Sequence, residues 1–194
     1  MMDTLAILKS HIASLYPLGE EELEALCKDW SKVEYKRKTI LTAAGEKEDY
    51  LYFVLEGIQR AFMVDDAGRE ATVVFTYPPS FSGVADSLLT QMPSRFFFET
   101  LTSSVLLRIS GERLFRLMEE YPQIQSFILK ATAMTLHGVL VRQTELQLMN
   151  AETRFKTLLN RSPHLLQLVP HKYIASYLGV DPTNFSKMMG SVRI

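Results

Sequence analysis

Cysteine is nearly absent: Cys27 is the only one in 194 residues. No internal disulfide and no thiolate cluster can form from one thiol, and Cys27 reads as a small buried hydrophobe. Histidine is also sparse. His11, His137, His164 and His171 are scattered without metal-ligand spacing. The chain offers no nucleophile–base pair and no Gly-rich loop that would cradle a phosphate, so an enzyme is not expected. A positive amino-terminal region followed by a continuous apolar stretch is missing, which argues against a signal peptide. No uninterrupted run of about 18 apolar residues occurs, so a membrane span is not expected either and the chain reads as cytoplasmic.

Net charge is close to zero, at −1, but unevenly spread. Residues 151–194 hold Arg154, Lys156, Arg161, Lys172, Lys187 and Arg193 against Glu152 and Asp181, a net +4 that leaves −5 for residues 1–150. A basic module attached to an acidic one is the simplest reading.

The periodicity changes twice along the chain. Leu5, Leu8, Ile12 and Leu15 recur at helical spacing, Pro17-Leu18 interrupts, and residues 20–28 form a second short helix with an acidic first turn. From Ser31 the pattern becomes short segments rich in β-branched and aromatic residues: 50–55, 58–64, 70–77, 96–101 and 105–109 among them. Gly45, Gly57, the turn at 65–68, Pro78-Pro79, Gly83 and Pro93 punctuate them, which predicts an antiparallel barrel or jelly roll. After Ile109 the chain is helical again. Residues 111–120 make a short amphipathic helix, and a long helix runs from about Gln123 to Met149. On it Phe127, Ala131, Met134, Gly138, Val141, Glu145 and Leu148 follow a 4-3-4-3 spacing. So much apolar surface implies packing on more than one side, one on the chain's own barrel and one on a partner helix. Phe127, Ala131, Met134, Gly138, Val141 and Leu148 are the expected dimer interface. Gly138 costs helix stability, about 1 kcal/mol relative to Ala, and close helix approach would justify it.

Residues 170–188 read as a helix-turn-helix. Ile174 and Leu178 stack on the first helix and Ala175 lets a second helix approach. Gly179 takes the left-handed turn, Val180 fills the corner, Asp181 caps, and Pro182 opens the next helix. Phe185 and Met188 return to the core, leaving Thr183, Asn184 and Lys187 outside, where a DNA-reading helix needs polar side chains. Asn can pair with adenine and Lys can reach guanine. Arg154, Lys156, Arg161 and Lys172 are the candidate phosphate contacts.

A barrel bounded by short helices, then one long helix, then a basic helix-turn-helix resembles the Crp/Fnr family of bacterial transcription regulators, over nearly the whole chain. Residues 51–57 look like the family's hairpin entering the barrel and 65–70 like its turn. Phe81-Ser82-Gly83 looks like the start of its ligand cassette, and residues 173–179 are similar to members that end soon after the recognition helix. The resemblance implies an α+β fold. An N-terminal β-barrel or jelly roll of cyclic-nucleotide-binding type spans 1–122, a dimerisation helix 123–149, and an all-α helix-turn-helix domain 150–194. It implies a cytoplasmic homodimer that binds double-stranded DNA and responds to a small-molecule effector.

In the family the cassette binds a cyclic nucleotide through a Gly-Glu pair and an Arg followed by a small hydroxyl residue and Ala. Here Val84 follows Gly83, and Ser94-Arg95-Phe96 stand at the later positions, the types transposed by one. On a strand that sends the guanidinium to the opposite face. Cyclic AMP or cyclic GMP is therefore not expected. Gly83, Asp86, Ser87, Ser94 and Arg95, with Thr132 or Thr135 of the long helix as a lid, are the candidate site for a different small polar ligand. An iron–sulfur cluster would need more cysteines, and no axial ligand set for haem can be assembled. The alternative is a degenerate member, a dimeric ligand-sensing or protein-interaction module without DNA binding.

Overall fold

The computed structural model describes residues 4–191, so Arg193 lies outside the described residues. Two helices open the fold, α1 (Thr4–Leu15) and α2 (Glu20–Lys28). Eight strands follow: β1 (Ser31–Tyr35), β2 (Ile40–Thr42), β3 (Tyr50–Glu56), β4 (Gln59–Val64), β5 (Glu70–Thr76), β6 (Ser80–Ser82), β7 (Phe97–Thr100) and β8 (Ser104–Ser110). A short helix, α3 (Ala85–Thr90), is inserted after β6. The strands do not close into a barrel. They form two antiparallel four-stranded sheets, ordered β1-β8-β3-β6 and β2-β7-β4-β5, the jelly-roll alternative of the sequence reading.

Alternation along β3 separates two cores. Tyr52 and Val54 point between the sheets, where they meet Leu106 of β8, Phe98 of β7 and Val84. Leu51, Phe53 and Leu55 point the other way, into a core shared with helices. That core takes Leu8 and Ile12 from α1, Leu26 and Cys27 from α2, and Leu114 and Leu117 from α4 (Gly111–Glu120). It also takes Ile124, Phe127 and Ile128 from the first two turns of α5 (Pro122–Leu148).

Beyond α5 come α6 (Ala151–Arg161), α7 (Leu165–Leu168), α8 (His171–Leu178) and α9 (Pro182–Ser191). Their core joins Phe155, Leu158, Ile174, Leu178 and Phe185 to Ile58, Phe75 and Leu101 of the roll, so the carboxy-terminal helices rest directly on the sheets. The contact is built around an edge. β5 has one free side, and Ser176 of α8 covers it: its Oγ accepts from the Thr72 N–H (2.9 Å) and donates to the Glu70 carbonyl (3.0 Å). Arg142 of α5 pairs with Glu145 at 2.9 Å, donates to the Tyr177 carbonyl and lies over the Tyr177 ring.

Two expectations about α5 change. Phe127 is 1% exposed and buried against the roll, with its ring edge-on to Phe81, so it cannot face a partner. Glu145 belongs to the Arg142 pair inside the chain. The middle of the row stays open at Met134 and Val141, and Leu136, Val139 and Leu140 beside it are exposed as well. Against the expectation from uninterrupted apolar runs, α5 is long and apolar enough to cross a membrane by length and composition.

The largest fully buried side chain among the described residues is Arg60 of β4, 1% exposed. Its Nε donates to Glu99 (2.6 Å), Nη1 to the Thr72 hydroxyl (3.1 Å) and Nη2 to Glu70 (2.5 Å). The guanidinium lies 3.8 Å from the Phe62 ring centre and 3.6 Å from that of Tyr173 on α8. Breaking one partner of a buried pair strands the other charge and costs about 3–5 kcal/mol. Arg60→Ala is expected to lose that much stability in urea unfolding followed by circular dichroism, because Glu99 is left buried. Tyr173→Leu keeps both ion pairs and is expected to lose only about 1–2 kcal/mol.

Candidate functional site

The segment from β6 through α3 is the cassette of the sequence reading. Gly83 has φ +113°, and a Cβ there would sit 3.2 Å from the Tyr50 carbonyl oxygen, so backbone conformation and space both call for glycine. Val84 turns inward and is buried between the sheets. The Tyr52 and Phe98 rings, 5.8 Å apart, occupy the same interior.

The N–H of Val84, at the start of α3, does not point at free space. It donates to Oε2 of Glu48 (3.2 Å), a side chain the sequence reading did not single out. Glu48 is 2% exposed; Oε2 also accepts from the Thr42 hydroxyl (2.6 Å), and Oε1 from the Tyr50 N–H (3.2 Å). An internal carboxylate thus takes the helix-terminal donor that a bound anion would use. Burial holds the Glu48 carboxyl above its ordinary range, outweighing the hydrogen bonds from Thr42, Val84 and Tyr50 that favour ionisation.

The candidate polar ligand residues do not converge. Ser87 accepts from the Glu48 N–H (3.0 Å) and donates to the Met92 carbonyl (2.6 Å). Ser94 donates to the Phe96 carbonyl (2.7 Å) and accepts its N–H (2.9 Å). Both serines are buried and hold the loops around the cassette together. Asp86 and Arg95 are exposed. Gly83, Thr132 and Thr135 do come together, at a cavity of about 340 Å³. It lies where the helix-side residues Leu51 and Phe81 point, rather than between the sheets.

The helix-turn-helix has the register the sequence implies. Ile174, Ala175 and Leu178 are buried, Gly179 ends α8 at φ +63°, and its N–H donates back to Ser176 (3.0 Å). Asp181 Oδ1 accepts from the N–H groups of Thr183 (2.8 Å) and Asn184 (3.4 Å). These donors, the Thr183 N–H foremost, hold its carboxyl below the ordinary range. Phe185 is buried edge-on to Phe155, 5.3 Å away, while Thr183, Asn184 and Lys187 are exposed on α9. The cations divide. Lys172 is exposed, with Nζ 4.7 Å from the centre of the Tyr173 ring, and exposed Lys156 pairs with Glu152 at 2.7 Å. Arg154 donates to the Met149 carbonyl (2.7 Å) at the end of α5, and Arg161 donates to the Tyr177 hydroxyl (3.1 Å) and faces Glu145 at 3.8 Å. Those two arginines hold helices together.

A two-sheet roll with a glycine-led cassette, followed by helices, is the architecture of a cyclic nucleotide-binding domain, and residues 32–121 match the family model described as "Cyclic nucleotide-binding domain". Solved structures carry the likeness further along the chain. FixK2 from Bradyrhizobium japonicum aligns with a TM-score of 0.74 at 18% identity, over 84% of this chain and 83% of that one. A regulator described as belonging to the Crp/Fnr family, from Eubacterium rectale, aligns at 0.71 and 15% identity, over 90% and 83%. The c-di-GMP responsive global regulator CLP of Xanthomonas campestris aligns at 0.66 and 19%, over 89% and 91%. At these identities the likeness is one of fold. Among curated protein sequences none matches.

The Glu48 carboxyl makes a signed prediction about pH. In the unfolded chain it ionises near about 4.3. Between that value and its raised folded value, the folded state holds the extra proton, so its contribution to stability falls as pH rises. Outside that window its contribution is level. Urea unfolding across the window is expected to show the parent losing stability relative to Glu48→Gln as pH rises. A relative gain would mean that the three donors outweigh burial.

Proposed function

We propose that this chain is a homodimeric, DNA-binding transcription regulator. Its roll senses a small molecule other than cyclic AMP or cyclic GMP. The observation that carries this reading is α9: a helix capped by Asp181 and anchored by Phe185, with Thr183, Asn184 and Lys187 exposed. That is what a recognition helix entering a major groove requires. The likeness to a Crp/Fnr regulator supports it, and the unit boundaries 1–122, 123–149 and 150–194 follow from it. No catalytic role is assigned to the chain. Against a cyclic nucleotide stand Val84 in the roll interior and the Glu48 carboxyl, which already occupies the cassette N–H. Thr183, Asn184 and Lys187 read bases in this scheme, and Lys172 contacts a phosphate.

Duplexes selected from a random pool, measured by fluorescence anisotropy at two salt concentrations, test it. Binding is expected to weaken with salt by about 0.9 log units per log unit for each phosphate contact. Lys172→Ala should lower that slope by about one contact and weaken all sequences alike. Asn184→Ala should instead relax the preference at one base pair, worth about 1–3 kcal/mol. No saturable binding near about 50 mM salt would favour a second reading, an interaction or sensing module without DNA binding. The commitment of Arg154 and Arg161 to helix packing, which thins the basic surface, speaks for that alternative.

A second copy of this chain covers the exposed stripe of α5 from Met134 to Val141. Gly138 lies in its centre, and a Cβ there would meet nothing within 4 Å. On a helix that stays in solvent, Gly138→Ala would stabilise by about 1 kcal/mol. At a close helix crossing, a larger side chain pushes the helices apart. Gly138→Leu is therefore expected to weaken the dimer in sedimentation equilibrium while leaving the helical spectrum intact. A parent that sediments as a monomer would remove the dimer from the proposal.

A further inference from the structure

The cavity near Gly83 lies between α1, β6, α3 and α5. Its volume of about 340 Å³ is within the range, about 300–1,000 Å³, of sites that hold small ligands. Among the described residues its wall contains no Asp, Glu, Lys or Arg. Leu51, Phe81, Leu88, Leu114, Phe127 and Ile128 make most of it. The threonine hydroxyls on α5 are turned to their own helix: Thr132 donates to the Ile128 carbonyl (2.8 Å) and Thr135 to that of Ala131 (3.0 Å). Each can still accept one hydrogen bond, but neither has a proton to offer. Three further hydroxyls in the wall are engaged within the chain, Thr76 with Ser82 at 2.6 Å and Ser80 donating to the Tyr77 carbonyl (2.7 Å), which leaves His11 of α1. Its ring packs against Phe53 and Phe81, with centroids 5.3 and 5.5 Å away, and no hydrogen bond to it is found among the described residues. Burial lowers its pKa and favours the neutral ring. Among the lining residues, Val74 and Met134 are 39% and 50% exposed and mark the mouth.

We propose that this cavity, on the helical side of the sheet rather than between the sheets, binds a neutral and mainly apolar small molecule carrying a single hydrogen-bonding group. A charged ligand finds no counter-ion there, and burying an unpaired charge is prohibitively costly. An apolar body gains by displacing water from the leucine and phenylalanine walls, while His11 or a threonine oxygen receives its one polar group. The ligand would touch α5 directly, through Phe127, Ala131 and Thr135. The inference supplies the effector class for the regulator proposed above, yet its test needs no DNA, so either claim can fail without the other.

The probe is N-phenyl-1-naphthylamine, a neutral apolar fluorophore, titrated into the full chain. Trp30, the sole tryptophan, has its ring 6.1 Å from that of Phe81, so energy transfer reports binding, and the filling substitutions below assign it to this cavity. Saturable, equimolar binding with quenching of Trp30, undiminished by salt or by excess cyclic AMP, is expected. Ala131→Phe fills the cavity and should lower affinity at least about ten-fold. Thr135→Leu serves the same purpose if Ala131→Phe does not fold. Lys36→Ala, at an exposed position after β1 and outside the cavity wall, should leave affinity unchanged. Non-saturable binding, displacement by cyclic AMP, indifference to the filling substitution, or loss in Lys36→Ala would each overturn the proposal.

Discussion

The arrangement of this molecule depends on one guanidinium. Arg60 emerges from a strand into a space closed to water, and five groups complete its surroundings: Glu99, Glu70, Thr72 and the rings of Phe62 and Tyr173. Four belong to the roll and one to α8. An ammonium could not serve, because a single compact charge cannot reach two carboxylates and a hydroxyl in one plane while presenting both faces to aromatic rings. The helix-turn-helix is therefore not merely tethered behind a long helix. It closes the last face of a buried cation, and Ser176 beside it satisfies the free edge of β5. Moving α8 away would expose the ring face of Arg60 and two backbone groups together, which makes this joint an all-or-none contact.

The same logic of substitution governs the cassette. The sharp turn at Gly83 leads into the short helix α3, and the N–H at its start is already engaged within the chain. Val84 fills the interior, the serines bind their own loops, and Glu48 supplies from within the chain the negative group that the helix terminus attracts. The remaining free volume lies on the other side of the sheet and is uncharged.

What could be read from the sequence was what is local. The helix-turn-helix was legible because each requirement falls within a few residues: a left-handed turn at Gly179, a cap at Asp181, a return to the core at Phe185. The strands from 31 to 110 were legible from alternation and turn residues. β6 and α3 were not resolved as elements, because three and six residues give too few positions for either periodicity to register. Arg60 was missed for a different reason. A lone arginine within a strand looks like a solvent-facing residue, and its partner Glu99 is 39 positions away. Glu48 sits in a loop with no pattern around it. The row on α5 misled at both ends, where Phe127 and Glu145 keep the period of the exposed stripe but are claimed by the chain's own roll and carboxy-terminal helices. An i, i+3 charge pair, Arg142 and Glu145, interrupting an apolar row was the available sign that the seam ends there.

The long helix then has three segments with three chemistries. Its first two turns are fixed to the roll by Ile124, Phe127 and Ile128, and its last two to α8 by the Arg142–Glu145 pair and the Tyr177 ring. Between them, from Ala131 to Val141, one face borders the cavity and another is exposed. A rod clamped at both ends and free in the middle is sensitive to what is inserted beside that middle. The apolar contacts of its first turns can slide by small amounts at little cost, since dispersion and burial carry no strict directionality. The charge-assisted contact at its far end cannot, because its hydrogen bonds weaken steeply with angle. A ligand seated against Ala131 and Thr135 would therefore shift α5 where it is softest, and the displacement would reach α8 through the contact least able to absorb it.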